Sequence, residues 1–134
     1  MRVFVDTSAF LAVLNADDQN HHRAEQVWAD LITQDALLIC TNYVLVETFA
    51  LVQHRLGMQA VRVFQEDVLP VVNIEWVNGA RHGAGVSAIL TAGRRQLSLV
   101  DCVSFETMRQ LGIDTAFVFD HHFEEQGFKV IPSP

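Results

Sequence analysis

Short apolar, β-prone runs alternate along this chain with stretches of helical periodicity, and that alternation constrains the fold more than any other feature. The runs at residues 3–5, 37–40, 71–77, 115–119 and 129–131 read as buried strands, rich in Val, Ile, Leu and Phe and bounded by polar residues. Between them, helical spacing or capping signals predict helices over 9–15, 21–32, 43–56, 59–68, a long one capped by Asn78 and reaching Arg95, 101–111 and a turn over 121–126. In the second of these, Ala24, Val27, Trp28 and Leu31 share one face. Gly57 and Gly112 stand at helix stops, whereas Gly83 and Gly85 fall inside a predicted helix, where each costs about 1 kcal/mol relative to Ala. Strands separated by helices cannot pair as hairpins, so the pattern predicts an α/β fold with a parallel sheet covered on both faces. With 134 residues, half of them hydrophobic, the chain is expected to form one domain spanning residues 1–134.

Four carboxylates occupy positions that the pattern makes unusual. Asp6 ends the first strand, in Val3-Phe4-Val5-Asp6-Thr7-Ser8, and in open parallel sheets ligands bind beyond the carboxyl ends of strands. Helix capping is an equally complete account of Asp6 taken alone. Glu47 lies on a helix that is nearly all apolar, with Val44 at i−3 and Leu51 at i+4 and no Lys or Arg within one turn. A carboxylate in such company is paired with a distant cation or bound to a metal. Asp101 closes Ser98-Leu99-Val100-Asp101, which has the form of a capping box. Asp120 repeats the setting of Asp6, ending the run Ala116 to Phe119 and preceding His121-His122. Gathered at one rim of a sheet, four carboxylates would repel one another unless divalent cations neutralised them, and oxygen-only donors suit Mg²⁺ or Mn²⁺ rather than Zn²⁺. The two histidines are expected to be solvent-exposed, because neighbouring side chains diverge on either a strand or a helix.

Charge narrows the function classes. Nine basic and sixteen acidic residues give 9 − 16 = −7, which argues against a broad electrostatic footprint for nucleic acid and leaves any such contact to local residues. Arg81, Arg94 and Arg95 are the candidates, all placed by the pattern on one helix, although solvated helix-face charges account for them as well. Cys40 and Cys102 have no metal-ligand spacing and sit among apolar residues, so they are expected as reduced core residues of a cytoplasmic protein. No apolar stretch approaches the roughly 20 residues that a membrane span needs, and the first residues do not form a secretory signal. The glycines between 79 and 85 do not have the spacing of a dinucleotide-binding fingerprint.

Val5-Asp6-Thr7-Ser8, Thr41-Asn42-Tyr43-Val44-Leu45-Val46-Glu47, Leu97-Ser98-Leu99-Val100-Asp101 and Phe119-Asp120-His121-His122-Phe123, followed by Gly127 and Pro132, together resemble a PIN-domain protein. The likeness is greatest to the small, single-domain VapC-type toxin ribonucleases and covers essentially the whole chain. The resemblance implies a three-layer α/β/α fold with a five-stranded parallel sheet, and an acidic site of Asp6, Glu47, Asp101 and Asp120 holding Mg²⁺ or Mn²⁺. Thr7 or Ser8, with Ser98, would supply hydroxyls near the metal. It also implies endonucleolytic cleavage of RNA, a cognate antitoxin as partner and a homodimer as assembly. One departure is Val118, where the family often has Thr or Ser two residues before its last Asp. That places Asp120 in a supporting role, with Asp6, Glu47 and Asp101 as the principal ligands.

Two other functions remain open on sequence. A PIN-like fold could serve as a non-catalytic nucleic-acid-binding or regulatory module. Asp6 could instead be the nucleophile of a haloacid-dehalogenase-like phosphatase, but such sites want a second Asp two residues on, where Ser8 stands.

Overall fold

The computed structural model describes residues 1–134. Its strands are β1 (Arg2–Val5), β2 (Leu37–Thr41), β3 (Val72–Glu75), β4 (Thr115–Phe117) and β5 (Lys129–Ile131). They form one sheet in the order β3-β2-β1-β4-β5, with every neighbouring pair parallel. Seven helices surround it: α1 (Thr7–Leu14), α2 (His21–Thr33), α3 (Asn42–Leu56), α4 (Met58–Val63), α5 (Gly79–Ala92), α6 (Leu99–Leu111) and α7 (His122–Glu125). Val3, Phe4 and Val5 are consecutive and all fully buried, so both faces of the central strand are covered, as an all-parallel sheet requires. Phe10, Phe49 and Phe64 pack edge to face in one part of the core, and Phe4, Phe105, Phe123 and Phe128 cluster in another. No helix is long and apolar enough to cross a membrane.

The α/β class, the parallel sheet and its five strands are as expected; several boundaries are not. The helix expected over 59–68 is α-helical only to Val63, then widens into a π-helical turn over Phe64–Val68 and tightens into a 3₁₀ turn over Leu69–Val71. The widened turn puts both Phe64 and Val68 into the core, a placement that apolar spacing alone does not encode. The strand expected over 71–77 stops at Glu75, its last partner being Thr41, and the Val77 amide turns aside to donate to Asn42 Oδ1 at 2.8 Å. β4 likewise stops short of residue 119, because Phe119 N donates out of the ladder to Ser8 Oγ at 3.0 Å. α5 ends at Ala92 rather than Arg95: Gly93 adopts φ +60° and its amide closes the last turn onto the Ile89 carbonyl. Arg94 and Arg95 therefore lie beyond the helix that carries Arg81.

α5 and α6 make the most intimate helix pair. Gly85 allows it, since a Cβ there would stand 2.5 Å from Val103 Cγ2 on α6, whereas one at Gly83 would meet nothing within 4 Å. The packing fixes α6, and with it Asp101 in its first turn.

Candidate functional site

The strand order reverses between β1 and β4, since β2 and β3 lie on one side of β1 and β4 and β5 on the other. A crevice at the carboxyl ends of the strands opens at such a reversal, because the connecting segments depart to opposite sides. Asp6 follows β1 directly, and its amide donates to the Phe117 carbonyl of β4 at 3.1 Å. Its carboxylate caps α1, accepting from Ser8 N at 3.1 Å and Ser8 Oγ at 2.8 Å. The same Ser8 hydroxyl accepts from Phe119 N, so one serine ties the cap of α1 to the segment leaving β4. The cap and site readings of Asp6 are both realised in one geometry.

Thr7 and Ser8 divide their duties. Ser8 touches Asp6, whereas Thr7 is buried with Oγ1 lying 3.0 Å from Thr48 Oγ1 and 3.5 Å from the Val44 carbonyl, bracing α1 against α3. Thr41 caps α3 by accepting from Val44 N at 3.2 Å, which sets the helix that presents Glu47. Glu47 is half-buried rather than enclosed in the apolar core. Ser98 and Asp101 form the expected capping box, with Asp101 N donating to Ser98 Oγ at 3.0 Å and Ser98 N to Asp101 Oδ2 at 3.2 Å. Asp120 accepts from His122 N at 2.7 Å, which fixes its carboxylate at the start of α7.

These groups interact electrostatically. Burial pushes the Asp6 carboxyl up to about 7, with the charges of Asp101 and Glu47 adding to the rise and the Ser8 hydrogen bonds opposing it. Burial also raises Asp101, as does Asp120, against the Ser98 bonds and the nearby His122. The Cys40 thiol, buried beside Asp6, is pushed up to about 12. No Lys or Arg forms an ion pair with Asp6, Glu47, Asp101 or Asp120. The acidic cluster thus has no Lys or Arg counter-charge, only the imidazole of His122 beside Asp120, and its carboxylate oxygens match the donor chemistry of a hard divalent cation.

The ligating atoms of Asp101, Asp120 and His122 all lie within 4.8 Å of one another. Asp120 is therefore grouped with Asp101. His122 overturns the expectation of exposure: its side chain is only 6% exposed, while that of His121 is 74% exposed. Adjacent side chains do diverge here, and the divergence sends one of them inward. The signal was Phe123, which inserts between Phe4 and Phe105 and draws the single turn of α7 down onto the core.

Among the arginines, Arg81 does not fit the role foreseen for it. Its Nε and Nη2 donate to Gln110 Oε1 at 3.0 and 2.9 Å, Nη1 lies 3.3 Å from Glu75 Oε1, and the residue is buried. Its guanidinium clamps α5 to α6 and to the end of β3. Arg94 pairs with Glu125 at 2.9 Å on the surface, and Arg95 is exposed.

The structure is thus a parallel α/β domain with Asp6, Glu47, Asp101 and Asp120 drawn towards its topological switch point. The PIN domain model matches residues 3–129, and the chain belongs to that family. It is 34% identical over 127 residues to the 23S rRNA-specific endonuclease VapC20 of Mycobacterium tuberculosis, covering 94% of this chain and 95% of the relative. The crystal structure of that protein, described as a sarcin-ricin loop cleaving toxin, superposes with a TM-score of 0.84 at 33% identity, over 94% of this chain and 95% of that one. VapBC2 from Rickettsia felis, bound to a DNA fragment from their promoter, shares the fold with a TM-score of 0.71 at 11% identity, over 97% of each chain. FitAcB from Neisseria gonorrhoeae does so at 0.68 and 18%, over 97% of this chain and 96% of that one.

Proposed function

We propose that this protein is a metal-dependent endoribonuclease hydrolysing RNA phosphodiester bonds, acting as the toxin of a toxin–antitoxin pair. The observation that carries the reading is the acidic cluster, unpaired with any Lys or Arg, on a PIN chain one-third identical to a ribosomal-RNA endonuclease. Asp6, Glu47, Asp101 and Asp120 would hold Mg²⁺ or Mn²⁺. When bound, the cation supplies positive charge that activates a water and offsets the negative charge growing on the phosphate oxygens.

The chain's own part is pre-organisation. The Ser8 amide and hydroxyl hold the Asp6 carboxylate and the Ser98 amide holds that of Asp101, so the donor oxygens need no reordering when a ligand arrives. Burial of Asp6 keeps bulk water from screening the site. The acidic chain has few places to grip a phosphate backbone, and exposed Arg95, with Arg94 at the surface, is the best placed of the three foreseen arginines. Val46, Trp76 and Leu90, each more than 70% exposed, offer apolar surface for an antitoxin and for the second copy of a homodimer.

The test is cleavage of a set of RNAs, beginning with 23S rRNA, by purified protein in Mg²⁺, Mn²⁺ or EDTA, beside Asp6→Asn and Asp101→Asn. Cleavage that requires the metal and is lost in both variants is expected. Full activity in either variant refutes the site assignment, and cleavage of no RNA by protein that binds metal favours a non-catalytic module.

A further inference from the structure

We infer that the His122 imidazole is a nitrogen ligand of this site, so that Asp101, Asp120 and His122 together form a mixed nitrogen and oxygen donor set for a divalent transition cation. The inference extends the metal-dependent reading above and rests on it. The ring is 94% buried, from a 6% side-chain exposure, and neither nitrogen is engaged in a hydrogen bond. The fold otherwise satisfies its buried side chains, His122 Nδ1 being the one such atom without a partner, and Nε2 on the opposite side of the ring makes no hydrogen bond either. Its two nitrogens face two carboxylates. Nε2 is turned to Asp120 Oδ1 at 3.8 Å, and the ring's ligating atom lies within 4.8 Å of oxygens from both Asp120 and Asp101. Nδ1 points the other way, 3.9 Å from Glu125 Oε2. The spacings on the Nε2 side exceed a direct hydrogen bond and leave room for a cation shared with the two carboxylates.

The far side of the ring faces a carboxylate, as it does in a ligating histidine. Such a ring gives one nitrogen to the metal and donates the other N–H to a carboxylate, which fixes the tautomer. Glu125 is the carboxylate on that side of the ring, 3.9 Å from Nδ1 and beyond direct hydrogen-bond distance; its oxygens are held by Arg94 Nη1 at 2.9 Å and by His121 Nε2 at 3.2 Å, so it is not free to swing into the site. The backbone reinforces the arrangement, since the His122 amide donates to the Asp120 carboxylate and sets both donors on one turn. An imidazole donor favours Mn²⁺ and its later neighbours over Mg²⁺, so this chain should discriminate between the two ions more strongly than four carboxylates alone would.

The test is pulsed electron paramagnetic resonance on the full chain, stripped of metal and loaded with Mn²⁺. Nitrogen-14 coupling of a directly bound imidazole is expected in the wild type and in His121→Asn, and lost in His122→Asn. Mn²⁺ affinity, by calorimetry, is expected to fall at least 10-fold in His122→Asn while Mg²⁺ affinity changes less than 3-fold. The wild-type spectrum decides independently of whether a variant folds: bound Mn²⁺ without nitrogen coupling overturns the inference. So does coupling that persists in a folded His122→Asn or disappears in His121→Asn. RNA cleavage by the same preparation in Mg²⁺ separates the two readings. Cleavage without nitrogen coupling overturns the imidazole ligand alone, and coupling without cleavage of any RNA supports the ligand and counts against the nuclease.

Discussion

Replacing Asp6 by Asn should stabilise the metal-free protein, and the size and pH dependence of that gain follow from the structure. The Asp6 carboxyl rises from 3.8 to about 7 on folding, chiefly because it is buried. The folded state thus binds this proton more tightly than the unfolded chain does. Stability is therefore lost as pH rises from about 4 to about 7, and the full penalty is present above that range. Three pK units correspond to about 4 kcal/mol, an upper bound because the charge is shared with Asp101, itself raised. Asn keeps an oxygen to accept from Ser8 and carries no charge, so a gain of roughly 1–3 kcal/mol is expected at pH 8 in EDTA. Below about pH 4 the gain should vanish, since the wild-type carboxyl is then protonated in both states. Urea unfolding followed by circular dichroism at several pH values measures it. Saturating Mn²⁺ should reverse the order, because ligand binding to the folded wild type adds stability that the variant forgoes. A variant no more stable than wild type at pH 8 in EDTA, or a gain independent of pH, would show that Asp6 is not the strained charge described above.

Other substitutions read different parts of the same framework. Gly83→Ala should stabilise by about 0.5–1 kcal/mol because its Cβ meets nothing, whereas Gly85→Ala should destabilise by about 1–3 kcal/mol through its clash with Val103, a loss that Val103→Ala should partly restore in the double variant. Arg81→Ala should lower stability by about 1–3 kcal/mol by freeing Gln110 and Glu75, with RNA cleavage at permissive temperature unchanged; a selective loss of RNA affinity in a stable variant would contradict the clamp. Ser98→Ala should cost about 1 kcal/mol in thermal unfolding and, by loosening Asp101, weaken Mn²⁺ binding in calorimetry; an unchanged affinity would mean that the cap does not orient the ligand.

The amino-acid sequence by itself determined the layout. Short apolar runs separated by helical spacing require parallel strands with crossovers, and the same local grammar placed Asp6, Asn78 and Ser98 as caps where the structure has them. Carboxylates at strand ends and helix starts were legible because those positions are unusual in an apolar context and need no knowledge of distant partners. Element ends were less so. β4 stops at Phe117 because Ser8, 111 residues away, takes the Phe119 amide, and the π-helical turn after Val63 exists because Phe64 has Phe10 and Phe49 to meet. Only tertiary structure decided the fate of charged and titratable side chains that local pattern leaves neutral. Arg81 turned inward to Gln110, and His122 was carried beneath the surface by its neighbour Phe123. Backbone conformation is governed mainly by a residue and its near neighbours, so sequence reports it well. Burial and charge pairing are set by groups that only folding brings together.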